Sequence, residues 1–206
     1  MRDEILERLG LPADTPQLVH GFARPNLALH ATEVSSAKER AGIVDAVLRE
    51  AIGDPGHVTG CAIVYAPTRK TAENESDRLC RGGYLAAAYH AGLRGDVRER
   101  VHERFSAGET DVVVATNAFG MGIDRADVRA VVHLAPPSSM EAYYQEVGRA
   151  GRDGESAIGH LLISPGDMPL RRHLIESDTE GRRPNPEIVQ HKWNLFLELM
   201  RWAEGG

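Results

Sequence analysis

The chain has 206 residues, 42% of them apolar and 26% charged, which is the balance of a water-soluble globular protein with one sizeable core. Its 24 Lys and Arg against 30 Asp and Glu leave a formal net charge of -6; this excludes a uniformly basic nucleic-acid coat but not a locally basic groove. Two cysteines, Cys61 and Cys80, lack CxxC spacing and exclude a disulfide framework or a cysteine zinc site, which fits a reducing, intracellular compartment. Apolar runs such as Val112 to Ala115 fall far short of the ~20 residues of a membrane span, and no secretory leader opens the chain.

In chain order, a short helix is predicted from Asp3 to Leu9, ending at Gly10. A Pro-rich turn follows at Pro12 and Pro16, then an extended pair around Val19 and Leu27 to His30, and a helix near Arg40 to Ala51. Gly53 to Gly60 reads as a loop. Beyond it, five β-type runs alternate with helical patterns: strands at Ala62 to Tyr65, Ala86 to Tyr89, Val112 to Ala115, Ala130 to Leu134 and Ile158 to Ile163, and helices at Thr71 to Leu79, Val97 to Phe105, Met140 to Val147 and Met168 to Ile175. These strands are apolar throughout, as strands buried on both faces of a parallel sheet are. The alternation implies an α/β layer fold of RecA-like or Rossmann-like type.

Thr179 to Pro186 reads as a polar linker, with Pro186 in the first turn of a last helix through Arg201. Trp193, Phe196, Leu197 and Met200 fall at helical spacing on it, a buried stripe whose partner the sequence does not reveal. The first helix is too short to stand alone, and the last ends without an evident partner, so the chain reads as an excised piece of a longer protein.

The strongest local signal is Gln145-Glu146-Val147-Gly148-Arg149-Ala150-Gly151-Arg152-Asp153-Gly154, at the end of a predicted helix. Its three glycines let the backbone turn sharply while Arg149 and Arg152 project, and planar guanidinium groups grip phosphate oxygens in pairs. An ordinary turn would also account for a bare GRxGR. Upstream, Asp111 to Asp127 reads DVVVATNAFGMGIDRAD, a buried strand opening into a Gly-rich turn. That places Thr116 and backbone N–H groups at the C-terminal edge of a parallel sheet, where ligands of open α/β sheets bind; a plain strand-to-loop transition with Asp124 as a helix cap is the alternative.

These segments, in this order, resemble the second RecA-like lobe of RecQ-family DNA helicases, within superfamily 2. Ala62 to Leu79 resembles the family's motif IV and Ala86 to Phe105 the segment after it. Asp111 to His133 resembles motif V, and Tyr143 to Gly154 motif VI. Phe22 to Leu27 (FARPNL) resembles the family's approach to this lobe, and Arg2 to Leu11 the closing helix of the first lobe. The resemblance implies a RecA-like, mostly parallel sheet sandwiched by helices, with residues 1–17 ending the preceding lobe, 18–165 forming the helicase C-terminal lobe and 166–206 a helical extension towards a zinc-binding module.

By the same resemblance ATP, with Mg2+ held mainly by a first lobe, sits between two lobes. Arg152 is then the arginine finger on the γ-phosphate, with Arg149 beside it on the triphosphate. Gln145 senses the first lobe's catalytic carboxylates, and Asp124 and Gly122 meet the nucleotide. Single-stranded or partly duplex DNA runs across Thr68 and Arg69, His90 and Arg94, and Thr116 and Asn117. His90 could equally be a satisfied histidine at a strand end, and Arg98, Arg100 and Arg104 read as a solvated helix face among Asp96, Glu99 and Glu103. No GxxxxGK[ST] loop or DExH box occurs in the chain.

The function implied is the C-terminal motor lobe of an ATP-dependent 3′-5′ DNA helicase of repair and recombination, inactive alone, in a bacterial-type cytoplasm and with no membrane or zinc in this segment. Two other readings compete. A non-catalytic nucleic-acid-binding module needs no phosphate loop, and a DEAD-box RNA helicase lobe would carry a histidine where Gln145 stands and a threonine where Ala150 stands. A dinucleotide-binding oxidoreductase is disfavoured, because no GxGxxG follows the first strands.

Overall fold

The structure, a computed structural model, describes residue 12 and residues 24–119, 125–177 and 185–205. Six strands form a single sheet: β1 (Leu27–Glu33), β2 (Cys61–Tyr65), β3 (Ala86–Tyr89), β4 (Val112–Ala115), β5 (Val128–His133) and β6 (Ala157–Ile163). The helices are α1 (Ala37–Ile52), α2 (Arg69–Arg81), α3 (Gly95–Ser106), α4 (Met140–Val147), α5 (Asp167–Ser177) and α6 (Pro186–Gly205). The strand order is β1-β6-β5-β2-β4-β3, and every pairing is parallel. This is the expected layered α/β architecture.

Alternation along β2 divides the core in two. Ala62 and Val64 face α1 and α2, packing with Val44, Leu48, Ile52, Ala72 and Leu79. Cys61, Ile63 and Tyr65 face the other side, where Phe105 of α3, Tyr143 and Val147 of α4, and Phe196 and Leu199 of α6 cover them. With both faces covered, every β2 position is buried, which is why this strand reads as an unbroken apolar run. Side-chain oxygens start three of the helices: Ser36, Thr68 and Ser139 accept from the backbone N–H of Glu39, Thr71 and Ala142, satisfying donors that a helix start leaves open.

Two expectations change. β1 is longer than predicted and pairs in parallel with β6; Val19, expected as its extended companion, lies outside the described residues, as does the helix predicted from Asp3 to Leu9. The stripe on α6 has its partner within the chain. Phe196, Leu199 and Met200 are buried in the cluster that contains Ile63 and Val131, whereas Leu197 is only half-buried. The buried face is thus rotated towards Leu199 from the predicted stripe, because α6 packs against α4 and α5 as well as the sheet. Among the described residues no helix is long and apolar enough to cross a membrane.

Candidate functional site

Because all strands run parallel, the loops after β2, β4 and β5 emerge together at one edge. There they border a cleft of about 1020 Å³, the position where open parallel sheets place ligands. Pro67 and Arg69 come from the end of β2 and the start of α2, Thr116, Asn117 and Phe119 from the loop after β4, and Ser138 and Ser139 from the loop after β5. Gln145, Glu146 and Arg149 come from α4 and its end, and Arg171 and Lys192 from α5 and α6. Arg69, Arg149, Arg171 and Lys192 face a single carboxylate, Glu146, among the described lining residues. A locally basic cleft therefore sits in an acidic chain.

Tyr65 joins two of the cleft's walls. Its hydroxyl donates to the Phe119 carbonyl (3.1 Å) and accepts from Arg149 Nε (3.1 Å). Its ring stacks on His133, with centroids 5.1 Å apart and planes 18° from parallel. His133 Nε2 in turn lies 2.8 Å from Glu146 Oε2. Burial holds the Tyr65 phenol well above its ordinary range, with the Arg149 charge pulling only partly against it; the phenol stays neutral and keeps its proton to donate. Burial also pulls the Arg171 guanidinium below its usual value, opposed by Glu146 and Asp167, while Arg171 Nη2 donates to the Pro136 carbonyl (2.6 Å).

The arginine-bearing turn follows α4. Gly148 caps the helix, and Gly151 takes φ +57, where a Cβ would lie 2.6 Å from Asn26 Nδ2 and 2.8 Å from the Glu155 carbonyl. Only glycine fits there without strain. Arg24 Nη1 donates to the Gly148 carbonyl (2.9 Å) and Arg24 Nη2 to the Gly151 carbonyl (2.5 Å). Asn26 Nδ2 donates to the carbonyls of Gly151 and Glu155, both at 2.8 Å. Asp153 is engaged with Arg129.

The predicted site residues divide by place. Arg69, Thr116, Asn117, Gln145 and Arg149 are brought together in the cleft. Gln145 Nε2 donates to Glu141 Oε1 (3.2 Å). Arg152 stands on the exposed turn beyond the cleft lining and makes no ion pair among the described residues. The Thr68 hydroxyl caps α2, accepting from Thr71 N (3.1 Å). Arg69 crosses above Gly92, where an added Cβ would come within 3.0 Å of Arg69 Nη1 and 3.2 Å of His90 Nδ1.

His90 is 3% exposed, with Nε2 3.0 Å from Glu73 Oε1. It lies beneath this surface, and its Nδ1 is buried without a hydrogen-bond partner among the described residues. Arg94 precedes α3, exposed, and donates to Asp96 Oδ2 (3.0 Å). Of the expected solvated α3 face, Arg100 pairs with Asp96 and Arg104 with Glu109 beyond the helix end, but Arg98 is half-buried, its Nε enclosed without a hydrogen-bond partner among the described residues. Asp124 and Gly122 lie outside the described residues.

Sequence reasoning missed Tyr65, His133, Arg24 and Asn26, and gave Glu146 no role. Each acts across the fold from its partner, so no local spacing marks it. Among the described residues no group of three or more His, Cys, Asp or Glu is placed to hold a metal ion.

A six-stranded parallel sheet with helices on both faces is the RecA-like architecture of helicase C-terminal lobes. The chain belongs to the helicase conserved C-terminal domain family, which matches residues 44–154. Within it the resemblance is to RecQ-type helicases. The chain is 38% identical over 188 residues to the ATP-dependent DNA helicase RecQ of Bacillus subtilis, covering 91% of this chain and 30% of that protein. It is 39% identical over 202 residues to the mouse bifunctional 3'-5' exonuclease/ATP-dependent helicase WRN, covering 97% and 13%. The chain thus spans a third or less of these relatives' length.

Among solved structures, a DEAD box protein from Methanococcus jannaschii superposes with a TM-score of 0.64 at 21% identity, covering 89% of this chain and 48% of that one. The E. coli DEAD-box protein SrmB, solved bound to regulator of ribonuclease activity A, gives 0.58 at 20%, covering 69% and 80%. These likenesses show the fold, that of a helicase C-terminal lobe.

Proposed function

We propose that this chain is the C-terminal motor lobe of an ATP-dependent 3′-5′ DNA helicase acting in repair and recombination in a bacterial-type cytoplasm, working with a first RecA-like lobe of the same protein. The observation that carries the reading is the basic cleft in an acidic chain, with Arg149 tied through Tyr65 to the loop after β4. ATP, with Mg2+ held mainly by the first lobe, supplies the phosphoryl group whose transfer drives the motor. Phosphoryl transfer spreads charge over equatorial oxygens, so a positioned guanidinium stabilises the transition state more than the ground state. Arg152, exposed on the turn, is the finger for the γ-phosphate. Arg149 steadies the triphosphate from the cleft wall, and Gln145 senses the first lobe's carboxylates. Asp124 and Gly122 complete the nucleotide side.

Single-stranded or partly duplex DNA crosses Thr68, Arg69, Arg94, Thr116 and Asn117, with His90, expected among them, buried next to this track. Such contacts position the strand without reading bases. Arg69 makes no ion pair among the described residues, so its charge is available to a phosphate. In the full-length protein, Arg69→Ala should weaken single-strand binding alike across sequences and make the slope of log affinity against log salt shallower by about 0.7, one single-strand phosphate contact. An unchanged slope and affinity in anisotropy titrations, or a loss confined to one sequence, would contradict the DNA track.

A further inference from the structure

The turn that carries Arg149 and Arg152 is held from a distant part of the chain. Arg24 and Asn26, on the approach to β1, lie 124 to 129 residues away in sequence from the carbonyls they bind. Arg24 forks across Gly148 and Gly151, and Asn26 across Gly151 and Glu155. The Gly151 carbonyl accepts from both side chains and also from the Gly154 backbone N–H (3.1 Å) within the turn, so its acceptor capacity is filled. Backbone bonds fasten the two ends: Ala157 N donates to the Asn26 carbonyl (2.9 Å) and Gly151 N to the Val128 carbonyl (2.8 Å).

We infer that Arg24 and Asn26 form a strap that positions the arginine turn for phosphate chemistry, making both of them positioning residues. Arg152 to Glu155 are exposed whereas Gly151 is buried and Gly148 half-buried, so the strap satisfies buried backbone as well as tying down the exposed residues. It also gives the turn a fixed place. A planar fork reaches two carbonyls at once, which an ammonium does not, and its charge suits the negative C-terminal end of α4. Arginines that act in a closed cleft need that fixity, since a displacement of about 1 Å can cost on the order of 10²-fold in rate. The inference rests on the reading of Arg149 and Arg152 as phosphate ligands.

The test uses the full-length protein carrying Arg24→Ala, Arg24→Lys or Asn26→Ala, each alone and combined with Arg152→Ala. ATP turnover, KM for ATP, single-strand affinity and melting temperature are measured. Arg24→Ala should lower kcat by roughly 10-fold to 10²-fold, with KM for ATP and single-strand affinity within about two-fold. Arg24→Lys should recover part of the loss. Over Arg152→Ala, Arg24→Ala should add clearly less than it costs alone, because most of its effect acts through the finger and only the remainder through Arg149. Should Arg24→Ala melt early, Arg24→Lys and Asn26→Ala carry the test. Parent-like turnover in all strap variants beside a defective Arg152→Ala overturns the strap alone, as does an equal fold-loss on both backgrounds, which marks a merely structural role. A parent-like Arg152→Ala overturns the reading of the turn and the strap with it.

Discussion

At the residue scale, the Tyr65 hydroxyl bonds both the loop after β4 and Arg149. Tyr65→Phe keeps the ring against His133 and removes only the two hydrogen bonds. Leaving a buried partner unsatisfied costs about 1–3 kcal/mol. The variant should therefore melt a few degrees lower, and it should lose several-fold in DNA-stimulated ATP turnover in the full-length protein while binding single strands normally. Unchanged turnover at saturating DNA would show that the hydroxyl serves packing alone.

The two thiols make a second residue-scale test. Burial pushes the Cys61 thiol up to about 12, whereas Cys80 is exposed. Since the thiolate is the reactive form, an aromatic disulfide reagent should label one thiol quickly in the folded chain and the second only on unfolding. Two fast thiols would contradict the buried strand start. Which groups could be found from sequence follows from their settings. Arg149, Arg152, Gln145 and Thr116 stand in segments whose glycines and strand edges announce a turn. Tyr65, His133 and Glu146 meet only once β2, β5 and α4 are side by side, and Asn26 meets Gly151 only through the β1–β6 pairing.

At the scale of elements, β2 and β4 were legible because burial on both faces leaves no polar position to blur the run, whereas β5 was legible only from Ala130, since the half-buried Arg129 interrupts its start at Val128. β1 was legible only in part. It is an edge strand with four consecutive exposed positions, so burial does not impose a pattern on its full length. The strand order was not legible, since each βαβ unit restricts handedness but not which neighbour a strand takes. β4 inserts between β2 and β3, and β6 between β5 and β1, and this is what gathers the cleft. The frame of α6 escaped for a related reason: its sequence carries apolar residues on more than one side, and only packing chooses the buried one. Phe196 is fully buried there. Phe196→Ala should cost about 3–5 kcal/mol, read as a lowered denaturant midpoint. A loss below about 1 kcal/mol would mean that α6 sits loosely on the sheet.

At the scale of the whole molecule, a net charge of -6 and a basic cleft coexist because the cations are gathered at one sheet edge. On the proposed DNA track this chain supplies only some of the phosphate contacts, so alone it should bind single strands weakly, with a modest salt slope set by those few contacts and slight sequence preference; tight, salt-insensitive binding would contradict that. With no GxxxxGK[ST] loop in its sequence, the same chain should release phosphate from ATP only at background rate. The central claim is that the turn after α4 presents an arginine to the γ-phosphate, and Arg152→Ala in the full-length protein tests it most directly. ATP turnover should fall by roughly 10³-fold or more, as loss of an arginine finger does, while single-strand binding and the melting temperature stay with the parent. Turnover within a few-fold of the parent, or a variant that unfolds, would contradict the claim and make Arg152 a structural residue.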